Sequence, residues 1–91
     1  MIQKQKKIFD VLFREKPLHM LTMLLHSSEE MYASTLAKAV DCTYSHVVKI
    51  LQEMNKAGLV SFQKRGRLKI LTLTKKGKDI ASRLDEVQKA L

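Results

Sequence analysis

The sequence predicts a mainly α-helical fold with one small β-hairpin, which places the chain in the α+β class. Apolar residues recur at helical spacing in several segments. Two strand-like runs, residues 59–63 and 68–73, flank a short connection that contains glycine, as in a hairpin. The chain has 91 residues, of which 45% are hydrophobic. We therefore expect a single domain over 1–91 with a modest core and no deep substrate cavity.

Two helices are predicted before residue 27. Over residues 4–14 the apolar side chains follow helical spacing and form one stripe. Pro17 suits the first position of a second helix, which continues over 18–26. That segment is apolar on nearly every side, so we expect it to be buried.

The next predicted elements are two helices joined by a tight turn. A short helix over 35–40, capped by Ser34, precedes a turn at Asp41, and a longer helix covers 44–57. Thr43 is the expected cap of the longer helix. A glycine follows that helix, where a left-handed residue commonly ends one.

The last predicted helix, over about 75–91, follows the hairpin and is capped by Thr74. The element order is therefore helix, helix, short helix, turn, helix, hairpin, helix. A helix-turn-helix over about 34–57 is followed directly by a basic hairpin over about 59–73, which forms a wing. The predicted architecture is a winged helix-turn-helix with flanking N- and C-terminal helices.

The excess positive charge is confined to one segment. The chain carries 17 basic and nine acidic side chains, a formal charge of +8. Residues 43–78 hold nine of the basic residues and a single acid, Glu53, so this segment alone accounts for +8. Clustered cations of this kind are typical of proteins that bind a phosphate backbone, whereas charges that serve solubility have no reason to cluster.

Other classes of function find little support in the sequence. Three scattered histidines and one cysteine, Cys42, do not form a metal-ligand spacing, so we predict no metal and no cofactor. Cys42 is expected to be a buried structural residue. No motif for a nucleophile or a phosphate-binding loop is present, so we predict that the chain is not an enzyme. No apolar run is long enough to span a membrane, and no secretory leader is visible, so we expect a cytoplasmic protein associated with the nucleoid.

Between Leu18 and Leu84 the chain resembles the MarR-type winged-helix proteins, small dimeric transcription regulators of bacteria and archaea. The segments that carry the resemblance are YASTLAKAV, CTYSHVVKILQEMNKAGLV, RGRLKILTLT and TKKGKD. Asp41 departs from the pattern because glycine is common there, although Asp tolerates a left-handed backbone better than most residues. The resemblance implies a DNA-binding dimer. Longer MarR proteins have further helices that form the dimer and a ligand cleft. This chain has little room for most of those helices, which argues against a small-molecule effector pocket.

We expect double-stranded DNA as the partner and the helix over 44–57 as the recognition helix in the major groove. One stripe of this helix presents hydroxyl, amide and ammonium groups, which suit base edges and phosphates. The start of such a helix usually meets the bases. The predicted contacts on this helix are Thr43, Tyr44, Ser45, His46, Lys49, Gln52 and Lys56.

Two further groups of cations are predicted to contact DNA. Lys64, Arg65 and Arg67 lie at the tip of the wing, where arginine can enter a narrow minor groove or bind the backbone. Lys75 and Lys76 lie in the first turn of the last helix, where the helix dipole disfavours cations. We interpret that placement as a phosphate contact.

Apolar side chains on the first and last helices exceed what one small core requires, which favours a homodimer with two recognition helices about one turn of DNA apart. Packing of these two helices on each other is the alternative. The predicted interface consists of Phe9, Leu12, Phe13, Leu84, Val87 and Leu91. Two other functions stay open: a winged-helix module that binds proteins, and a chromatin or RNA binder without sequence preference.

Overall fold

A computed structural model describes the backbone of residues 3–91 and the side chains of residues 8–91. Residues 1 and 2 of the predicted domain lie outside this range. The described part forms five helices and one antiparallel hairpin, which confirms the predicted fold class. The elements are α1 (Gln3–Leu12), α2 (Glu15–His26), α3 (Ala33–Ala39), α4 (Tyr44–Lys56), β1 (Val60–Arg65), β2 (Leu68–Leu73) and α5 (Lys75–Ala90).

The core forms around α2. Met20 and Leu21 are fully buried, and α5 packs along this helix while α1 packs against α2 and α4. This burial agrees with the apolar character of residues 18–26. Both α1 and α5 therefore pack on α2. Cys42 is half-buried against the same core, so it is less deeply covered than predicted.

The helix boundaries near the N-terminus differ from the prediction. Helix α1 ends at Leu12, and α2 begins at Glu15, so Pro17 is the third residue of α2. Proline is tolerated there because the N–H groups of a first helical turn have no intrahelical acceptor. Leu12 is buried in the core, and it is therefore unavailable for the dimer interface to which the sequence analysis assigned it.

The turn between α3 and α4 is a Schellman motif with Asp41 in the left-handed conformation, at φ 53°. The N–H of Cys42 donates to the carbonyl of Ala37 at 2.9 Å. The Lys16 ammonium donates to the carbonyls of Val40 at 2.6 Å and Asp41 at 3.0 Å. Asp41 therefore takes the role that glycine has in the resembled family, and Lys16 fastens the turn to α2.

Helix α3 begins without the predicted cap. Tyr32 is its N-cap residue, its side chain makes no capping hydrogen bond, and Ser34 lies inside the helix. The preceding residue, Met31, instead forms an isolated β-bridge with Leu71, in which the Leu71 N–H donates to the Met31 carbonyl at 2.9 Å. This bridge fixes the start of α3 beside the wing.

The wing is a regular hairpin whose strands pair from Val60 with Leu73 to Arg65 with Leu68. Its loop has two residues, Gly66 and Arg67, where the sequence suggested a connection of four. Gly66 has φ 62°, the sign that a type II′ turn needs at its first central position. The shorter loop extends β1 to Arg65, so the arginine side chain starts from a paired strand.

A compact junction links the end of α4, the wing and α5. Gly58 ends α4 in a second Schellman motif at φ 79°. The Thr74 hydroxyl donates to the Gly58 carbonyl at 2.6 Å and accepts from the Gly77 N–H at 2.9 Å, which caps α5. Gly77 packs so tightly on Leu59 that a Cβ atom there would overlap the Leu59 carbonyl. The AGLV and LTKKG segments therefore build this junction.

Candidate nucleic-acid interface

Helix α4 has one buried face and one exposed face. The buried face consists of Val47, Ile50, Leu51 and Met54. On the opposite side of the helix the predicted stripe is exposed, and it consists of Ser45, Lys49, Gln52 and Lys56. Lys56 lies 3.7 Å from Glu53, a long contact at an exposed position that leaves its ammonium available to another anion. The recognition-helix stripe therefore faces outward along its whole length.

The start of α4 is held in place by Thr43, whose hydroxyl accepts a hydrogen bond from the His46 N–H at 3.3 Å. This bond confirms Thr43 as the N-cap. The oxygen of Thr43 is therefore committed to the helix, whereas the next side chain, Tyr44, is 60% exposed. The first turn of α4 thus presents an aromatic hydroxyl to a ligand.

One flank of α4 forms a groove with the wing. The groove encloses about 280 Å³ and is lined by Tyr44 and Gln52 from α4 and by Phe62, Arg67 and Lys69 from the wing. The Lys69 ammonium lies over the Phe62 ring, 5.9 Å from its centroid. The fold therefore brings candidates from the recognition helix and from the wing tip together, along with two residues that the sequence analysis missed.

The other flank of α4 faces the α1–α2 junction. His46 and Lys49 line a cavity of about 430 Å³ there, together with Arg14 and Lys16. These two candidates therefore line a different concavity from Tyr44 and Gln52, although Lys49 and Gln52 are neighbours on the same outward stripe of α4. Lys49 is exposed and makes no hydrogen bond or ion pair with a described residue.

The cations of the wing are not equivalent. An Arg65 guanidinium nitrogen lies 2.6 Å from one carboxylate oxygen of Glu30, and the Tyr32 hydroxyl donates to the other oxygen at 3.1 Å. This hydrogen bond to Glu30 is the main cause that raises the pKa of Tyr32. By contrast, Lys64 and Arg67 have no such partner within the described residues.

The lysines at the start of α5 meet the end of α4. The Lys76 ammonium donates to the carbonyl of Ala57, the C-cap residue of α4, at 3.0 Å. A cation is favourable at the negative end of a helix dipole, and this contact explains the unusual placement of Lys76. The sequence analysis did not anticipate this hydrogen bond, and the phosphate contact predicted for Lys76 stays a prediction. Lys75 is exposed.

The residues predicted for the dimer interface fall into two classes. Leu12 is buried in the core of the protomer, whereas Leu84 is half-buried against that core and its predicted place in the interface stays a prediction. The other members are exposed. The ring of Phe9 in α1 stacks on that of Phe13, the residue that directly follows α1, with centroids 4.4 Å apart. The remaining exposed members are Val87 of α5 and Leu91, the residue that follows this helix.

Metal sites and membrane spans are both absent from the described residues. Within them no three metal-ligating side chains lie close enough together to hold an ion. The helices of residues 3–91 are also too short or too polar to cross a bilayer.

Comparisons with known proteins establish the family. The HVO_A0114 family matches residues 12–76 of this chain. The chain belongs to the HVO_A0114 family. The matched residues include α2, the helix-turn-helix, the wing and the first residues of α5. An uncharacterized protein of Archaeoglobus fulgidus is 31% identical over 80 residues, which cover 85% of this chain and 84% of that protein.

Solved structures share the fold of this chain. The crystal structure of AF1382 from Archaeoglobus fulgidus has a TM-score of 0.81 and 28% identity, and the match covers 90% of this chain and 93% of that one. MepR, a transcription regulator of the Staphylococcus aureus multidrug efflux pump MepA, has a TM-score of 0.72 at 22% identity, over 96% of this chain and 71% of MepR. The predicted resemblance to winged-helix regulators is therefore confirmed at the level of the fold.

Proposed function

We propose that this member of the HVO_A0114 family is a transcription regulator that binds double-stranded DNA as a homodimer. The observation that carries the proposal is the exposed cationic surface formed by α4 and the wing. All of the chain's excess charge lies in residues 43–78, which include both elements. A cationic surface on a helix-turn-helix fits the charge and the groove dimensions of duplex DNA. Such a regulator would act in the cytoplasm, on the nucleoid.

Helix α4 is the element that we assign to the major groove. Its outward stripe offers Lys49 and Gln52 in the middle of the helix, where ammonium and amide groups can meet guanine and adenine edges. Tyr44 and Ser45 begin the helix and would reach bases or the adjacent backbone. Lys56, at the far end, would contact a phosphate. His46 joins this set on the flank that it shares with Lys49.

The wing tip is assigned to the minor groove or the backbone. Arg67 lies in the two-residue loop and lines the groove shared with Tyr44 and Gln52, so it is close to the recognition helix. Lys64 in β1 and Lys75 at the start of α5 are exposed and add positive charge. Since Arg67 lacks an acidic partner among the described residues, its guanidinium is available to a phosphate without the loss of an internal contact.

A comparison of three alanine variants tests these assignments. Lys49→Ala should weaken binding to a selected site by about 1–3 kcal/mol and relax its sequence preference, because the lost contact reads a base. Arg67→Ala should weaken binding to all sequences alike. Lys89→Ala, the matched control, removes the same charge from α5 about 20 Å along the helix axis from Lys75. Asp85, the ion-pair partner of Lys89, keeps its contact with His26, so this variant should stay folded and change binding little. Equal effects of all three substitutions would contradict the assignment.

The homodimer is proposed to form through the exposed apolar side chains of α1 and α5 and of the residues that directly follow these helices. Phe13 is 59% exposed and Val87 is 57% exposed, so glutamate at either position leaves the protomer core intact. We expect Phe13→Glu with Val87→Glu to halve the mass measured by analytical ultracentrifugation, with an unchanged circular dichroism spectrum. Dimers that persist in this folded variant would contradict the interface.

The groove between α4 and the wing also favours a second candidate function. Phe62 and Leu68 give it apolar walls, and Leu68 is 52% exposed, which would suit a protein ligand. If the purified protein fails to bind duplex DNA at low salt, a winged-helix module that binds proteins becomes the better account. A chromatin or RNA binder would instead bind at low salt without a preferred sequence.

A further inference from the structure

Glu30 neutralises one of the wing's arginines, and its carboxylate is fixed in place. One of its oxygens accepts from Arg65 at 2.6 Å, and the other accepts from the Tyr32 hydroxyl at 3.1 Å. The backbone next to Glu30 is fastened to the wing as well, because the Met31 carbonyl accepts from the Leu71 N–H at 2.9 Å. Both ends of the ion pair therefore start from paired backbone.

This ion pair changes what the wing offers to a phosphate. A paired guanidinium presents little net charge at a distance, and a phosphate that binds it must compete with the carboxylate. Arg67, two residues further along, has no acidic partner among the residues with described side chains. The two arginines that flank Gly66 are equivalent in sequence but not in structure.

The pair is strong enough to hold Arg65 in the free protein and weak enough to be displaced. Its side chains are 64% and 45% exposed, and exposed ion pairs generally contribute little because water and salt screen them. The loss of such a pair corresponds to about a two- to fivefold change in an equilibrium constant. Glu30 can thus lower the affinity for phosphate by a modest factor without blocking binding.

We propose that Glu30 is a positioning residue that holds Arg65 off the phosphate backbone and so lowers the wing's sequence-independent affinity for DNA. The inference rests on the proposed DNA-binding function. It assigns the wing's phosphate contact to Arg67. Arg65 would contact a phosphate only when its ion pair with Glu30 is broken. Removal of the Glu30 charge should release Arg65 to one additional phosphate.

The test measures duplex binding by fluorescence anisotropy over a salt series. Glu30→Gln keeps the size of the side chain and removes its charge. Glu29→Gln is the matched control, because Glu29 is exposed, adjacent in sequence and makes no side-chain contact with a described residue. Relative to this control, Glu30→Gln should bind about two- to fivefold more tightly, with a log–log salt slope steeper by about 0.9.

A double variant separates the ion pair from general electrostatics. Arg65→Ala alone should leave the wild-type salt slope nearly unchanged, and in that background Glu30→Gln should have no more effect than Glu29→Gln. A gain that persists without Arg65, or a Glu30→Gln variant no tighter than the Glu29→Gln control, would overturn the inference while the wild type still binds DNA. Failure of the wild type itself to bind duplex would overturn the proposed function, and the inference with it.

Discussion

Gly77→Ala should destabilise the fold, although the same substitution inside a helix normally stabilises it. Gly77 is the third residue of α5, and alanine inside a helix is ordinarily more stable than glycine by about 1 kcal/mol. Here, however, the added Cβ would lie 2.8 Å from the carbonyl carbon of Leu59 and closer still to its oxygen. Helix α5 would have to move away from the α4–β1 junction to relieve that overlap.

The magnitude follows from what that movement breaks. Overpacking against backbone typically costs about 1–3 kcal/mol. The shift would also strain the Thr74 hydrogen bonds to Gly77 at 2.9 Å and to the Leu59 carbonyl at 3.0 Å, each of which contributes about 1 kcal/mol. Against the gain in helix propensity, we expect a net loss of about 2–4 kcal/mol, measured by urea denaturation. In a domain of this size the melting temperature would fall by about 10–30 °C.

Gly66 supplies the matched control, because a Cβ atom there would meet nothing within 4 Å and the cost lies in its φ of 62°. Asparagine tolerates a left-handed backbone, so Gly66→Asn should cost less than Gly66→Ala. At position 77 asparagine should be at least as damaging as alanine, since the obstacle is space. A Gly77→Ala variant as stable as the wild type would refute the packing argument.

Two further predictions concern stability. Asp41→Gly should stabilise the fold by up to about 1 kcal/mol in urea denaturation, because the residue has φ 53° and glycine adopts that conformation without steric cost; a loss of stability would show that the Asp side chain contributes at the turn. Hydrogen bonds from His26 and then Lys89 lower the pKa of Asp85 below its ordinary value of 3.8. The stability contributed by Asp85 is therefore fully present above that value and is lost as the pH falls through the lower, folded-state pKa. Asp85→Asn should show a smaller loss of stability between pH 5 and 2 than the wild type, and an unchanged acid profile would count against this contact.

The sequence was sufficient to predict features that depend only on residues close together in the chain, such as helix caps and helix ends. Thr43 and Thr74 cap their helices as predicted, because each hydroxyl accepts from the N–H three residues ahead. The same rule failed for Ser34, which lies inside α3 because that helix begins directly after the bridge between Met31 and the wing. Asp41 and Gly58 end their helices in the left-handed conformation for a similar reason. The order of elements, and with it the winged helix-turn-helix, follows from these signals and from apolar periodicity.

Contacts between distant segments could not be predicted in the same way. The Glu30–Arg65 pair joins residues 35 positions apart, and nothing in either local sequence indicates the other. From the sequence, the lysines in the first turn of α5 could be compared only with the dipole of their own helix. In the structure, Lys76 contacts the C-terminal end of α4, which is distant in sequence. Periodicity also placed Leu12 in an apolar stripe without indicating which member of that stripe enters the protomer's own core.

The central claim, that the surface of α4 and the wing binds duplex DNA, is tested most directly by anisotropy of a labelled random-sequence duplex across a salt series. Each phosphate neutralised contributes about −0.9 to the log–log slope. Lys49, Lys64, Arg67 and Lys75 are exposed and have no acidic partner among the described residues. The account therefore predicts binding at low salt with a slope of about −3 or steeper per protomer. Weak binding at low salt, or a slope near zero, would contradict it.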